Sequence, residues 1–178
     1  MPDSFCGTSG PTLRLPAELH PASGGGYNSC GKPGAAGVSH LDVKRINDDI
    51  SVSPQISPDD LVAIKAAGFT TVINNRPDGE SPDQPTSATM QAAAEAAGLA
   101  YHYIPLGRDG VSPEMVAETE AALEGSDGPV FAYCRSGTRS TTLWALAQAG
   151  KMPAQEIVGA AAHAGYDMSH LLGHLSQK

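Results

Sequence analysis

The run Cys134-Arg135-Ser136-Gly137-Thr138-Arg139-Ser140 concentrates a thiol, two guanidinium groups, three hydroxyls and a glycine in one short stretch. That set suits capture of a small anion followed by attack on it by sulfur. The β-rich segment Pro129-Val130-Phe131-Ala132-Tyr133 leads directly into it, and a helical pattern from Thr141 to Ala149 leaves it. In a strand-turn-helix of this kind, successive backbone N–H groups converge on one point at the positive end of a helix dipole. Arg135, Ser136, Gly137, Thr138 and Arg139 are therefore expected to form an anion-binding cradle. Gly137 lets the backbone turn inward with no Cβ in the way, and Arg139 is placed to fold its planar fork onto two oxygens of the anion. Cys134 falls at the base, where the same donors favour a nucleophilic thiolate. Ser140, on the first helical turn, is placed to donate a hydrogen bond to the sulfur. A cysteine that merely ends a core strand would explain neither the two arginines nor the helix start.

The rest of the chain bounds what such a loop serves. With 178 residues and 40% apolar composition there is material for one globular domain and one active site. Aromatic residues make up 5% and Trp144 is the sole tryptophan, so the core must be built from Ala, Val, Leu and Ile. The formal charge is −8 and no basic run exceeds Lys44-Arg45, which argues against nucleic acid or an anionic membrane as partner. Two of the eleven basic residues nevertheless fall in the Cys134 loop, so a small anion is the expected ligand. Cys6, Cys30 and Cys134 form no C-x-x-C pair, which disfavours a disulfide scaffold or a zinc ribbon. Without a basic-then-apolar leader or a long apolar stretch, a cytoplasmic protein with reduced thiols is expected. His170 and His174 share a helical spacing but lack a third ligand, and His102 lies within a strand pattern, so no metal or cofactor is implied.

Residues 1–37 are rich in Pro, Gly, Ser and Ala, and read as a disordered extension or as the product of a start codon set too far upstream. Residues 38–178 read as the catalytic domain. Short strands are expected over Val43 to Ile46 and Ile50 to Val52, around an Asn47-Asp48-Asp49 turn. Ser57-Pro58-Asp59-Asp60 should open a helix that stops at Gly68, Thr70 to Ile73 a buried strand, Ala88 to Ala97 a helix, and Ala100 to Ile104 another strand. A third helix should start at Ser112-Pro113-Glu114 and end near Gly125. Helices over Pro153 to Ala164 and Ser169 to Leu175 close the chain. Such alternation gives an α/β domain with a mostly parallel sheet of four to five strands and helices on both faces.

The loop from Tyr133 to Ser140 resembles that of rhodanese sulfurtransferases, which commonly read C-R-x-G-x-R. Its surroundings resemble the protein-tyrosine-phosphatase fold: Val72-Ile73-Asn74-Asn75-Arg76-Pro77-Asp78, then Tyr103-Ile104-Pro105-Leu106, then the late cysteine loop. More specifically, the stretch from about Leu41 to the C-terminus resembles the phosphatase-like domain of beta-lactamase-hydrolase-like proteins, a bacterial family. Ordinary tyrosine phosphatases have a loop longer by a residue between cysteine and arginine, usually with a histidine where Tyr133 stands. The shorter cradle offers one N–H fewer to a transferring phosphoryl group and suits a terminal sulfur better. Phosphoester cleavage also needs a proton donor. The resemblance points to Asp109 as the acid, with Asp78, beside Arg76 on a second loop, as a weaker candidate. Three readings follow. The favoured one is sulfane-sulfur transfer from thiosulfate or a persulfide to a thiol or cyanide. The second is phosphomonoester hydrolysis through phosphocysteine, and the third is a non-catalytic anion-sensing module.

Overall fold

The computed structural model describes residues 41–177, and the expectation for residues 1–37 lies outside the described residues. Five strands, β1 (Lys44–Arg45), β2 (Ile50–Ser53), β3 (Thr71–Asn74), β4 (Ala100–Tyr103) and β5 (Val130–Tyr133), form one sheet in the order β1-β2-β5-β3-β4. Only β1 runs antiparallel, as a hairpin on β2. Its turn is closed by the Asn47 side chain, which accepts the N–H groups of Asp49 and Ile50.

Every residue of β2, β3 and β5 is buried, as expected of parallel strands covered on both faces. Alternate side chains serve the two faces. Val130 and Ala132 of β5, with Val52 and Ile73, join a core that includes Leu143, Trp144, Ile157 and Met168. Phe131 and Tyr133, with Val72, join a second core with Leu61, Ile64, Phe69 and Met90. The first core is covered by α3 (Pro113–Glu124), α4 (Thr138–Ala147) and α5 (Ala154–His163); the second by α1 (Asp60–Ala66) and α2 (Ser87–Ala96). β4 is the mostly exposed edge, so His102 is an edge residue.

Several element boundaries shift from the sequence pattern. The first helix opens at Asp60 because Ser57, expected as its cap, donates both its N–H and its hydroxyl to the Asp60 carboxylate, each at 2.7 Å. The helix after the cysteine loop starts at Thr138 rather than Thr141, because Gly137 turns the chain with φ +90° and Thr138 is already helical. The last segment is a 3-10 turn, Ser169–Leu171, followed by α6 (Leu172–Leu175), so His170 and His174 do not share one regular helix. Ser112 caps α3 as expected, accepting the Met115 N–H at 3.3 Å with Pro113 in the first turn.

Candidate active site

β5 lies in the middle of the sheet, with parallel neighbours on both sides. The chain leaves its carboxyl end in a crevice between β2 and β3, where open α/β sheets bind ligands. Two backbone bonds fix that exit: Cys134 N–H to Ser53 O at 3.4 Å and Asn75 N–H to Tyr133 O at 2.9 Å. Cys134 is fully buried, and its sulfur accepts the Gly137 N–H at 3.1 Å. The loop thus curls over its own nucleophile. Gly137 is buried, Arg135, Ser136 and Thr138 are exposed, and the Ser136 and Thr138 hydroxyls lie 3.2 Å apart. The N–H groups of Thr138, Arg139 and Ser140 precede the first intrahelical bond, Thr141 N–H to Gly137 O, which leaves donors for an anion at that end of α4.

The arginines and carboxylates are arranged differently from the expectation. Arg139 directs Nη1 to the Leu106 carbonyl and Nη2 to the Glu80 carboxylate, both at 2.9 Å. Burial opposes its charge, but Glu80 and the Cys134 sulfur outweigh that and hold its pKa above the ordinary value. Arg139 thus commits Nη1 and Nη2 to Leu106 and Glu80 while its charge lies near the sulfur, so its fork is not turned wholly onto the cradle. Arg76 is buried, with Nε on Glu80 at 2.7 Å and Nη1 on Gln55 Oε1 at 2.9 Å. Its role is to grip Glu80 from beneath, and it offers no open fork to an anion.

Asp78 is committed too: its two carboxylate oxygens accept the Ser87 N–H and hydroxyl, each at 2.7 Å, at the start of α2. Asp109 is exposed on the β4–α3 loop, whereas its neighbour Arg108 lines a cleft of about 510 Å³ with Pro77, Asp78, Gly79, Glu80, Gly107 and Arg139. Ser140 is buried, but its hydroxyl has no hydrogen-bond partner among the described residues, so the Gly137 N–H takes the place predicted for it at the sulfur. A helical serine ordinarily uses the carbonyl four residues back. Here that carbonyl, of Ser136, accepts the Tyr166 hydroxyl at 3.1 Å.

Glu80 and Tyr166 escaped the sequence reading. Glu80 stands in the stretch after Arg76-Pro77-Asp78, and its spacing of four from Arg76 was the available signal. Tyr166 lies 32 residues beyond Cys134, and nothing local marks it. Tyr133, where ordinary tyrosine phosphatases carry histidine, points into the second core, away from the cradle. Burial of its hydroxyl, and then the nearby Tyr101, push its pKa far up.

Glu80 supplies a measurable consequence. Its hydrogen bond with Arg139, against partial burial and with further help from Arg76, lowers its pKa from 4.5 to about 2. A depressed folded-state value means that the stabilisation is complete above about pH 4.5 and is lost as pH falls towards 2. The melting temperature of the wild type should therefore drop through that window by more than that of Glu80→Gln, which has no proton to gain there. Parallel curves for the two proteins would contradict the assignment.

The family profile described as beta-lactamase hydrolase-like protein, phosphatase-like domain, matches residues 42–151. The chain belongs to that family. A beta-lactamase hydrolase-like protein of Xylella fastidiosa is 32% identical over 135 residues, which are 75% of this chain and 31% of the relative. The chain thus spans about a third of the length of such relatives. The crystal structure of a candidate phosphatase from Neisseria meningitidis is 31% identical, with a TM-score of 0.66 over 76% of this chain and 96% of that one. Tk-PTP in its active form, 17% identical, shares the fold with a TM-score of 0.60 over 76% of this chain and 94% of that one. This phosphatase-like domain therefore has the tyrosine-phosphatase type of α/β fold, built around a cysteine loop. No helix among its described residues is long and apolar enough to cross a membrane.

Proposed function

We propose that this domain is a sulfurtransferase whose Cys134 accepts a sulfane sulfur from a small anionic donor, thiosulfate or a persulfide, and passes it to a thiol or to cyanide. The observation that carries the reading is the placement of the carboxylates near the loop: Glu80 is held by Arg76 and Arg139, and Asp78 by Ser87, so neither is poised as a proton donor. The carboxylate beside Arg139 is held ionised between two arginines, with a pKa of about 2, and has no proton to give at neutral pH. A phosphoester with an alkoxide leaving group needs such a proton. Sulfite does not.

In the first step the Cys134 thiolate attacks the outer sulfur of thiosulfate. The S–S bond breaks, sulfite leaves with the bonding pair, and Cys134 carries a persulfide. In the second step the acceptor attacks the outer persulfide sulfur and the Cys134 thiolate is released. Charge and electrons balance without an external oxidant or a general acid. The Gly137 N–H, the N–H groups at the start of α4 and the Arg139 guanidinium supply donors for the anionic donor and for the persulfide. The short cradle, with four residues between Cys134 and Arg139, favours the same chemistry. The contrary observation is the fold shared with phosphatases, but a fold does not decide its chemistry.

Purified protein offered thiosulfate with cyanide should form thiocyanate, and offered an aryl phosphate should release little or no phenol. Phenol release without thiocyanate would replace sulfur transfer by phosphomonoester hydrolysis through the same cysteine.

A further inference from the structure

We propose that Tyr166 is a positioning residue for the Cys134 nucleophile, because its hydroxyl clamps the peptide unit whose other end donates to the sulfur. The Ser136 carbonyl and the Gly137 N–H belong to one planar peptide group. The carbonyl accepts the Tyr166 hydroxyl at 3.1 Å, and the N–H donates to Cys134 Sγ at 3.1 Å. Rotating that peptide would break both bonds and turn a carbonyl oxygen towards the sulfur, repelling a thiolate. Gly137, with φ +90°, offers little steric resistance to such a rotation, since glycine tolerates both orientations. The Tyr166 bond opposes it and polarises the N–H in the direction that favours a negative sulfur.

Tyr166 is itself held in place. α5 ends in a Schellman motif, with Gly165 at φ +92°, Gly165 N–H to Ala162 O and Tyr166 N–H to Ala161 O, both at 2.9 Å. The ring then lies against the loop so closely that a Cβ on Gly137 would stand 2.0 Å from the hydroxyl oxygen. Residue 166 also falls outside the segment 42–151 that the family profile matches, so the clamp comes from the chain after it.

The charged and titratable groups around the sulfur are Arg139 on α4, Glu80 behind Arg139 on the β3–α2 loop, exposed Arg135 on the cysteine loop, and Tyr166 itself. Burial, and then the nearby Cys134 charge, push the Tyr166 pKa up, so its hydroxyl keeps its proton and remains a donor.

The inference rests on Cys134 being the nucleophile, but its test needs no sulfur donor, so it stands or falls separately from sulfur transfer. The rate of Cys134 alkylation by iodoacetamide, read on its own peptide by mass spectrometry, is measured from about pH 5 to about pH 10 for wild type and Tyr166→Phe. Phenylalanine keeps the ring and removes the hydrogen bond alone. The variant's profile should move to higher pH, with alkylation about three- to tenfold slower near neutrality and equal rates at the alkaline end. Superimposable profiles would overturn the proposal. So would a uniform change at every pH, which would mean that the ring only controls access.

Discussion

Replacement of Cys134 by serine is expected to lower thiocyanate formation from thiosulfate and cyanide by at least about a thousandfold. The side chain is fully buried at the carboxyl end of the central strand, and serine is close to isosteric. The Gly137 N–H that now donates to sulfur finds an oxygen acceptor in its place, so the loop keeps its shape. What disappears is the nucleophile, because a serine hydroxyl stays protonated without an adjacent base, and none of the described residues places a base in hydrogen-bond contact with this sulfur. Melting temperature should change by only a few degrees, and the iodoacetamide adduct on this peptide should vanish. Retained activity would mean that chemistry occurs elsewhere in the chain.

The second large effect is expected at Gly137. Substitution by alanine places a Cβ 2.0 Å from the Tyr166 hydroxyl oxygen on a backbone with φ +90°. The left-handed conformation alone costs roughly 1–2 kcal/mol for a residue with a side chain. The overlap adds to this and must displace the tyrosine or reorient the peptide that carries the N–H to the sulfur. Loss of one such preorganised donor lowers activity by about a hundredfold or more in other enzymes, and we expect that size here. Gly110 is the control. It also has φ +90°, but a Cβ there meets nothing within 4 Å. Gly110→Ala should thus show the backbone strain with activity within about twofold of wild type. Equal losses of activity in the two variants would remove the clash and the reoriented peptide from the explanation.

The contrast between Gly137 and Tyr166 shows where sequence is informative. Gly137 and Cys134 were legible because strand, loop and helix are contiguous, and local pattern fixes the geometry of a β-strand running into a helix N-terminus. The same holds for the sheet: the buried runs Val72-Ile73 and Val130-Phe131-Ala132 state that both faces are covered. Side-chain partnerships were not legible. Arg76 and Asp78 have the types expected of an anion site and a proton donor, yet one grips Glu80 and the other caps the α2 start at Ser87. Both partners lie on the same β3–α2 connection, four and nine residues further on, where an irregular backbone gives no period from which to read which side chains meet. Ser140 was placed correctly on the first turn, but its buried hydroxyl has no hydrogen-bond partner among the described residues, and no local pattern in the sequence marks that. Asp109, to which the resemblance points, is exposed on the β4–α3 loop beside Arg108, which lines a cleft with Glu80 and Arg139.

Arg76, Glu80 and Arg139 form a linked chain of ion pairs whose last member carries its charge near the sulfur. It fixes the Arg139 guanidinium beside Cys134 while keeping the intervening carboxylate ionised. An anionic donor meets a cation whose charge is only partly neutralised by Glu80, in a site with an exposed second arginine, Arg135, at its rim.

The most direct test of sulfur transfer is the mass of the Cys134 peptide after the protein is incubated with thiosulfate, without acceptor, and quenched under non-reducing conditions. The account predicts a gain of about 32 mass units on that peptide, one sulfur atom, which disappears on addition of cyanide and is missing from Cys134→Ser. An unmodified Cys134 peptide after thiosulfate, together with a gain of about 80 mass units after an aryl phosphate, would mark a phosphocysteine intermediate and contradict the sulfurtransferase reading.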